Sequence, residues 1–416
     1  MIWLIGNRGM LGTELSNALA AAGLESVGTD RDVDILESAA LAAFASGKKI
    51  EWIVNCAAYT AVEKAEAEEP LAERLNAQGP ENIASCAKAI GAKVLHISTD
   101  YVFDGTLTRP YLESDPMAPN SAYGRTKAEG EKRLAAACPE HVIVRTAWLY
   151  GKHGPNFVYT MLKLMKTKDR IGVVFDQKGT PTYTADLAAA VIAILRAPKP
   201  VYGTFHFTNL GETNWHEFAL EIRKLGKEYG LLTGDCAVDA LTTEQYPTKA
   251  KRPAYSVLSK ERIERSYGLE IPDWKSSLRD FFKDAFVFSE DIKILSGLAA
   301  YDLDTAQAML SAGRYLYVVY TCEQAVEKNL KALLCLYGRP AHHHNLARLA
   351  AESGISISEE ELSFLNSLSN YYLKTRYQVD VRILTEETQR PQAEVFLKGS
   401  TTLCEKLRRH PIFSIF

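Results

Sequence analysis

Tyr123 and Lys127, four residues apart in NSAYGRTKAEGEKRL, are the residue types best suited to moving a proton. Positions i and i+4 of a helix share a face, so a phenol and an ammonium meet there. The ammonium favours the phenolate and lowers the phenol from its free pKa of about 10. The spacing alone leaves a second reading, two polar side chains on one helix face. With 20 Tyr in 416 residues a chance match is expected, and Tyr159 with Lys163 in YTMLK is one. The surroundings separate the two pairs. Before Tyr123 come Ser98, Thr99 and Asp100 at the end of an apolar run, and a glycine loop lies further upstream. Tyr159 and Lys163 sit among Phe157, Met161, Leu162 and Leu164, the pattern of a packed helix.

These residues need elements to hold them. IWLIGNRGMLGTEL places Gly6, Gly9 and Gly12 directly after a first strand and at the opening of a first helix. Glycines there let the backbone turn tightly and approach a pyrophosphate on the helix N-terminus. Asp30, at the end of a second strand, can accept from an adenosine ribose 2′-hydroxyl and favours NAD, while Arg31 can pair with a 2′-phosphate. Both NADPH and NADH stay open as cofactors. The small residues Ala57 and Ala58 end the next strand and let a cofactor lie close to the backbone.

The runs at 2–6, 51–58, 93–99 and 142–151 are nearly continuous in apolar residues, as strands buried on both faces are. Helical patterns alternate with them, which predicts an α/β fold, a doubly wound parallel sheet of Rossmann type. Residues of about 151–287 are less regular and read as a small substrate lobe, giving a first domain over 1–287. Beyond Phe288 no strand-like run persists. Helical patterns over 301–338, broken near Gly313, and three more downstream predict an all-α helical bundle domain over 298–416.

Composition removes several function classes. The hydrophobic fraction is 47%, and the net charge of −3 offers no protein-wide basic surface for DNA. No run of 18 apolar residues offers a membrane span, and Met1 leads into IWLIG without the positive region of a secretory signal. Seven scattered Cys with no Cys-x-x-Cys pair fit reduced, buried thiols and a cytoplasmic location.

The glycine loop, STDYVFDG, YGRTKAEGE, RTAWLYG, NFVYTMLKL, DQKGTPTYTADLA and RPAYSVL, in this order, resemble the extended short-chain dehydrogenases, and among them the dTDP-4-dehydrorhamnose reductases. The resemblance runs from residue 1 to about 285. It implies NAD(P)H-dependent reduction of the C4 ketone of a nucleotide sugar. Tyr123 would donate the proton, Lys127 would tune it and hold the nicotinamide ribose, and Thr99 would bond the substrate oxygen. The cofactor would lie along Gly6, Gly9, Met10, Leu11, Gly12, Asp30, Arg31, Ala57, Ala58 and Tyr59. Asp100, Trp148, Thr180, Thr182 and Arg252 would meet the substrate. For the last four the residues alone allow other readings: a core aromatic for Trp148, a turn around Pro181 for the threonines, an ion pair for Arg252. Some relatives bind Mg2+ at a dimer contact, near the positions of Glu14 and Asp186. These two read as exposed, solvated acids, and no metal is assigned. Another 4-ketoreductase of nucleotide deoxysugars fits the same motifs, as does a non-catalytic regulatory subunit like the reductase-like partner of methionine adenosyltransferase.

CEQAVEKNLKALLCLYG, HHHNL and YYLKTRY resemble the HEPN domain. That resemblance implies a helical bundle, often a homodimer, binding nucleotide or a partner. RNA-cutting members carry His four to six residues after an Arg, and no His follows Arg376 in range. Glu327 and Arg376 read as bundle polar residues or part of a nucleotide site, and His342, His343 and His344 as a loop entering a helix.

Overall fold

The computed structural model describes residues 1–286, 289–336, 340–377, 388–409 and 413, the side chains at 289 and 371–377 excepted. The side chain of Arg376 thus lies outside the described residues. The chain forms two compact units, Met1–Phe281 and Phe282–Phe416.

In the first unit six strands form one sheet: β1 (Ile2–Ile5), β2 (Ser26–Thr29), β3 (Trp52–Asn55), β4 (Lys93–Thr99), β5 (His141–Thr146) and β6 (Gly203–His206). Their order is β6-β5-β4-β3-β1-β2 and every pairing is parallel. The strands are apolar throughout because both faces are covered. Leu4, Val54, Leu95, Val144 and Phe205 pack on one face with Leu11 and Leu15 of helix Met10–Ala21 and Leu187 and Val191 of helix Thr184–Arg196. Trp3, Ile53, Val94 and Ile143 pack on the other with Ile83 and Ala87 of helix Gly79–Ile90 and Leu134 of helix Ala122–Ala137. Each such buried side chain is worth about 1.5–3 kcal/mol. Trimming one, for example Leu95→Ala, is expected to cost about 2–5 kcal/mol.

GTFHFTN, assigned to the lobe from sequence, instead supplies β6 of the main sheet, pairing Gly203 with Val142. The reason is Phe205 and Phe207, which are buried in the first core. The order reverses between β1 and β3, the crevice where ligands sit in such sheets.

Helix Ala122–Ala137 starts at Ser121, whose side chain accepts from Gly124 N–H. It lies very close to its neighbours. A Cβ on Gly124 would stand 2.2 Å from Tyr101 O, and one on Gly130 1.9 Å from Asn76 O. Asn76 sits in a π-helical turn, Arg74–Gln78, between helices Glu69–Glu73 and Gly79–Ile90. Pro80 has no N–H to offer the Asn76 carbonyl four residues back, which opens the helix there.

The second unit holds helices Ser289–Ser311, Tyr315–Leu336, Leu346–Glu352, Glu359–Tyr377 and Arg390–Leu407. The expected break falls at Gly313, with φ +71°. The first helix begins at Ser289, earlier than the sequence pattern suggested. Val318, Val319 and Cys322 are fully buried with Leu346 and Leu365, Phe396 is buried beside them, and Tyr315 packs against the cluster. His343 and His344 lie in a loop and turn to different acids, Glu352 at 3.1 Å and Glu327 at 2.9 Å. Glu327 also binds Lys331 at 2.8 Å.

Candidate active site

A cleft of about 960 Å³ opens at the C-terminal ends of the strands. Its floor is the glycine loop. Gly6 has φ +78°, and a Cβ there would stand 2.7 Å from Ala57 N. A Cβ on Gly12 would lie 2.0 Å from Gly6 O. Only glycine fits either place, and the tight turn they allow brings the N-terminus of helix Met10–Ala21 to the cleft, a site for an anion. Gly9, Met10, Leu11, Asp30, Arg31, Ala57 and Ala58 line the same cleft. The cradle therefore fits a dinucleotide.

Thr99, Asp100, Tyr123, Lys127 and Trp148 line the cleft with it. Tyr123 hydrogen-bonds Thr99, and Thr99 Oγ1 donates to Asp100 Oδ1 at 3.0 Å. Burial, with the nearby Asp100 charge, pushes the Tyr123 phenol up to about 12, partly offset by the Thr99 bond. Asp100 is itself buried, and burial raises it to about 6 against its hydrogen bonds. Tyr101 stacks edge-on against Tyr123, centroids 5.5 Å apart.

Lys127 is fully buried. Its Nζ donates to Ile97 O at 2.8 Å and lies 3.1 Å from His96 Nε2. Burial lowers Lys127 to about 8. Tyr159, the alternative, is buried with its hydroxyl on Lys152 O at 3.2 Å, while Lys163 is exposed.

Four expected ligand residues do not line the cleft. Thr180 and Thr182 are fully buried and donate to Gly211 O at 2.8 Å and Ala147 O at 2.7 Å. They brace the turn at Pro181, and Thr182 N–H bonds Trp148 O at 3.2 Å. Tyr59 turns its hydroxyl to Glu68 at 2.5 Å. Arg252 pairs with Glu63 at 3.2 Å in a neighbouring hollow of about 490 Å³, from which its charge acts on Tyr101. Glu14 and Asp186 are not solvated acids. Glu14 is buried near Thr184 and His153, and Asp186 accepts from Asn209 and Ser277, each at 2.6 Å. Among the described residues no group of three His, Cys, Asp or Glu is placed to hold a metal.

The sequence reading missed Asn55, Asn76 and His96, all fully buried. Asn76 clasps the Tyr59 backbone at both ends, 2.8 Å to N and 3.1 Å to O, and reaches Thr126 at 3.2 Å. Asn55 and His96 interrupt apolar strand runs. A buried polar group in such a run must have a partner, and that was the available signal.

A reversed parallel sheet, a glycine cradle and a Tyr-x-x-x-Lys pair at its mouth define a dinucleotide-binding protein of the short-chain dehydrogenase class. The RmlD substrate binding domain model matches residues 1–287, and the chain belongs to that family. The HEPN domain model matches residues 293–409. The spore coat polysaccharide biosynthesis protein SpsK of Bacillus subtilis (strain 168) is 40% identical over 284 residues, covering 68% of this chain and 97% of its own. The solved dTDP-4-dehydrorhamnose reductase of Clostridium acetobutylicum is 44% identical, with a TM-score of 0.64 over 68% of this chain and 98% of its own. That of Bacillus anthracis, in complex with NADP, is 35% identical with the same score and coverage.

Proposed function

We propose that the chain reduces the C4 ketone of dTDP-4-dehydro-β-L-rhamnose to dTDP-β-L-rhamnose with NADPH or NADH, in cytoplasmic dTDP-rhamnose biosynthesis. The observation that carries this reading is the meeting of Thr99, Tyr123 and Lys127 in one cleft floored by Gly6 and Gly12, in a chain whose solved relatives are reductases of that name.

The nicotinamide supplies the hydride when bound. The glycine loop with Met10, Leu11, Ala57 and Ala58 holds the cofactor, and Asp30 and Arg31 read its ribose. Tyr123 gives its phenolic proton to the O4 that the hydride leaves negative, and Thr99 orients that oxygen. Asp100 and Trp148 place the sugar. Thr180 and Thr182 act from behind the wall, by bracing the segment that carries Trp148. Residues 1–287 form the reductase. The helical domain, 298–416, serves assembly as a homodimer or binds a nucleotide or partner. Among the described residues no helix is long and apolar enough to cross a membrane.

The test is oxidation of NADPH and of NADH with dTDP-4-dehydro-β-L-rhamnose, beside other dTDP-4-ketosugars. Faster turnover of another sugar would reassign the substrate. Binding of both cofactors without oxidation would support a regulatory subunit instead.

A further inference from the structure

Glu131 lies one turn beyond Lys127 on the same face of helix Ala122–Ala137, and both side chains are buried. Two strands hold its carboxylate. Arg145 of β5 closes on it with Nε 3.0 Å from Oε1 and Nη2 2.7 Å from Oε2, and Ser98 of β4 donates to Oε1 at 2.5 Å. A guanidinium can only donate, so a carboxylate that meets it with both oxygens is ionised. Arg145 is itself fixed. Its guanidinium lies 5.0 Å from the centre of the Phe103 ring, and its Nη1 lies 3.3 Å from His206 Nε2. Burial and Arg145 hold His206 well below the usual histidine range, so that ring is neutral. Its Nδ1 faces Tyr111 O at 3.2 Å, which needs a proton on Nδ1 and leaves Nε2 free to accept from Arg145.

Lys127 needs a charge of this sign. A buried ammonium is costly unless an opposite charge and hydrogen bonds compensate it. Its direct neighbours on β4 are uncharged. Ile97 O accepts from it at 2.8 Å, and the His96 ring, 3.1 Å away, is kept neutral by burial and by Lys127 itself. From the end of β3, burial pushes the Cys56 thiol up to about 12. From its own helix, Tyr123 is a phenol pushed the same way. The Glu131 carboxylate is the anion among these groups, and its charge opposes the effect of burial on Lys127.

We propose that Glu131 is a positioning residue of the reduction: clamped by Arg145 and Ser98, it is the fixed counter-charge of the Lys127 ammonium and ties that lysine's helix to the strand carrying Thr99. The inference rests on the reading of Tyr123 and Lys127 as the catalytic pair.

Glu131→Gln keeps the shape and an acceptor for Arg145 and removes the charge. Two readouts on the full chain test the proposal. In NMR of lysine-labelled protein, the Lys127 signal is identified by its loss in Lys127→Met. It is expected to titrate near 8 in the wild type and about one pH unit or more lower in Glu131→Gln. In cofactor oxidation the alkaline limb of kcat/KM is expected to move with it. The variant then keeps its rate within about twofold at pH 6 and loses about tenfold at pH 9. Glu131→Asp keeps the charge and is expected to restore most of the shift. A midpoint unmoved or raised in Glu131→Gln, or a loss of rate equal at every pH, would overturn the proposal and leave Glu131 a matter of folding alone. Should Glu131→Gln fail to fold with Arg145 unpaired, the double variant Glu131→Gln, Arg145→Gln leaves neither charge alone and is read by the same criteria. A wild-type midpoint below about 7 would by itself overturn the proposal, because the lysine would then lack an effective counter-charge. The midpoint needs no turnover, so it stands apart from failure of the ketoreductase assay.

Discussion

Trp148 lies flat on Trp215, ring centroids 3.6 Å apart and planes 12° from parallel. It does so from φ +48°, the one positive value at a non-glycine position among the described residues. Left-handed backbone costs a bulky residue about 1–2 kcal/mol, and an aromatic stack returns about 0.5–1.5 kcal/mol. Gly179 completes the clamp, since a Cβ there would stand 2.7 Å from the indole. Trp215→Ala removes the stack without entering the cleft. It is expected to raise KM for the sugar nucleotide by up to about tenfold and to leave cofactor affinity unchanged. Steady-state kinetics with direct cofactor titration check this. An unchanged KM would make the stack a matter of folding alone.

Tyr123→Phe removes one hydroxyl. Turnover is expected to fall by roughly a hundred- to ten-thousand-fold, the range of general acid catalysis, with cofactor affinity within a few-fold. Tyr159→Phe loses a bond to Lys152 O, is expected to cost about 1 kcal/mol of stability, and should keep its rate. Near wild-type turnover in Tyr123→Phe would remove this tyrosine from the mechanism.

Arg31 lines the cleft beside Asp30. Arg31→Ala is expected to weaken NADPH binding, leave NADH binding unchanged and so shift the preference toward NADH. Fluorescence titration with both cofactors decides, and equal loss for the two would show that Arg31 does not read the 2′-phosphate.

Asp100 gives a pH signature. Its folded pKa, about 6, stands above the ordinary 3.8, so the folded state holds this proton more tightly than the unfolded chain. The contribution is favourable in acid. It is lost as pH rises from about 4 to 6, and the loss is complete above that. Asp100→Asn lacks the loss. Relative to wild type the variant is expected to gain roughly 1–3 kcal/mol between pH 4 and pH 7 in urea unfolding. A difference that does not change with pH would contradict the assignment.

The fragment 1–290 is expected to keep ketoreductase activity, because the residues lining the cleft run no further along the chain than Pro155. A folded but inactive fragment, restored by adding 298–416, would place part of the active site in the helical unit.

Much of this was legible in the sequence because it depends on local chemistry. The glycine loop, the alternation of apolar runs with helical ones and the Tyr123–Lys127 spacing each follow from neighbours within a few residues. What was not legible depends on who meets whom across the fold. Whether Thr182 faces a ligand or Ala147 O turns on a pairing of distant segments. Glu14 looks solvated on a helix and is buried because helix Thr184–Arg196 packs beside its own. β6 was misplaced because its apolar run follows a long irregular stretch, and only burial of Phe205 against β5 decides it. His96 gave a signal, a polar residue in an apolar strand, but its partner Lys127 stands 31 residues on.

The two glycines of helix Ala122–Ala137 set a limit on how this chain can diverge. The position of Tyr123 and Lys127 is gauged by main chain touching main chain, at Tyr101 O and Asn76 O. Side chains elsewhere on that helix can drift in size without moving the pair. A single methyl at Gly124 or Gly130 would wedge the helix outward and carry both functional groups with it. Two residues that bear no chemistry are thus barred from gaining a side chain.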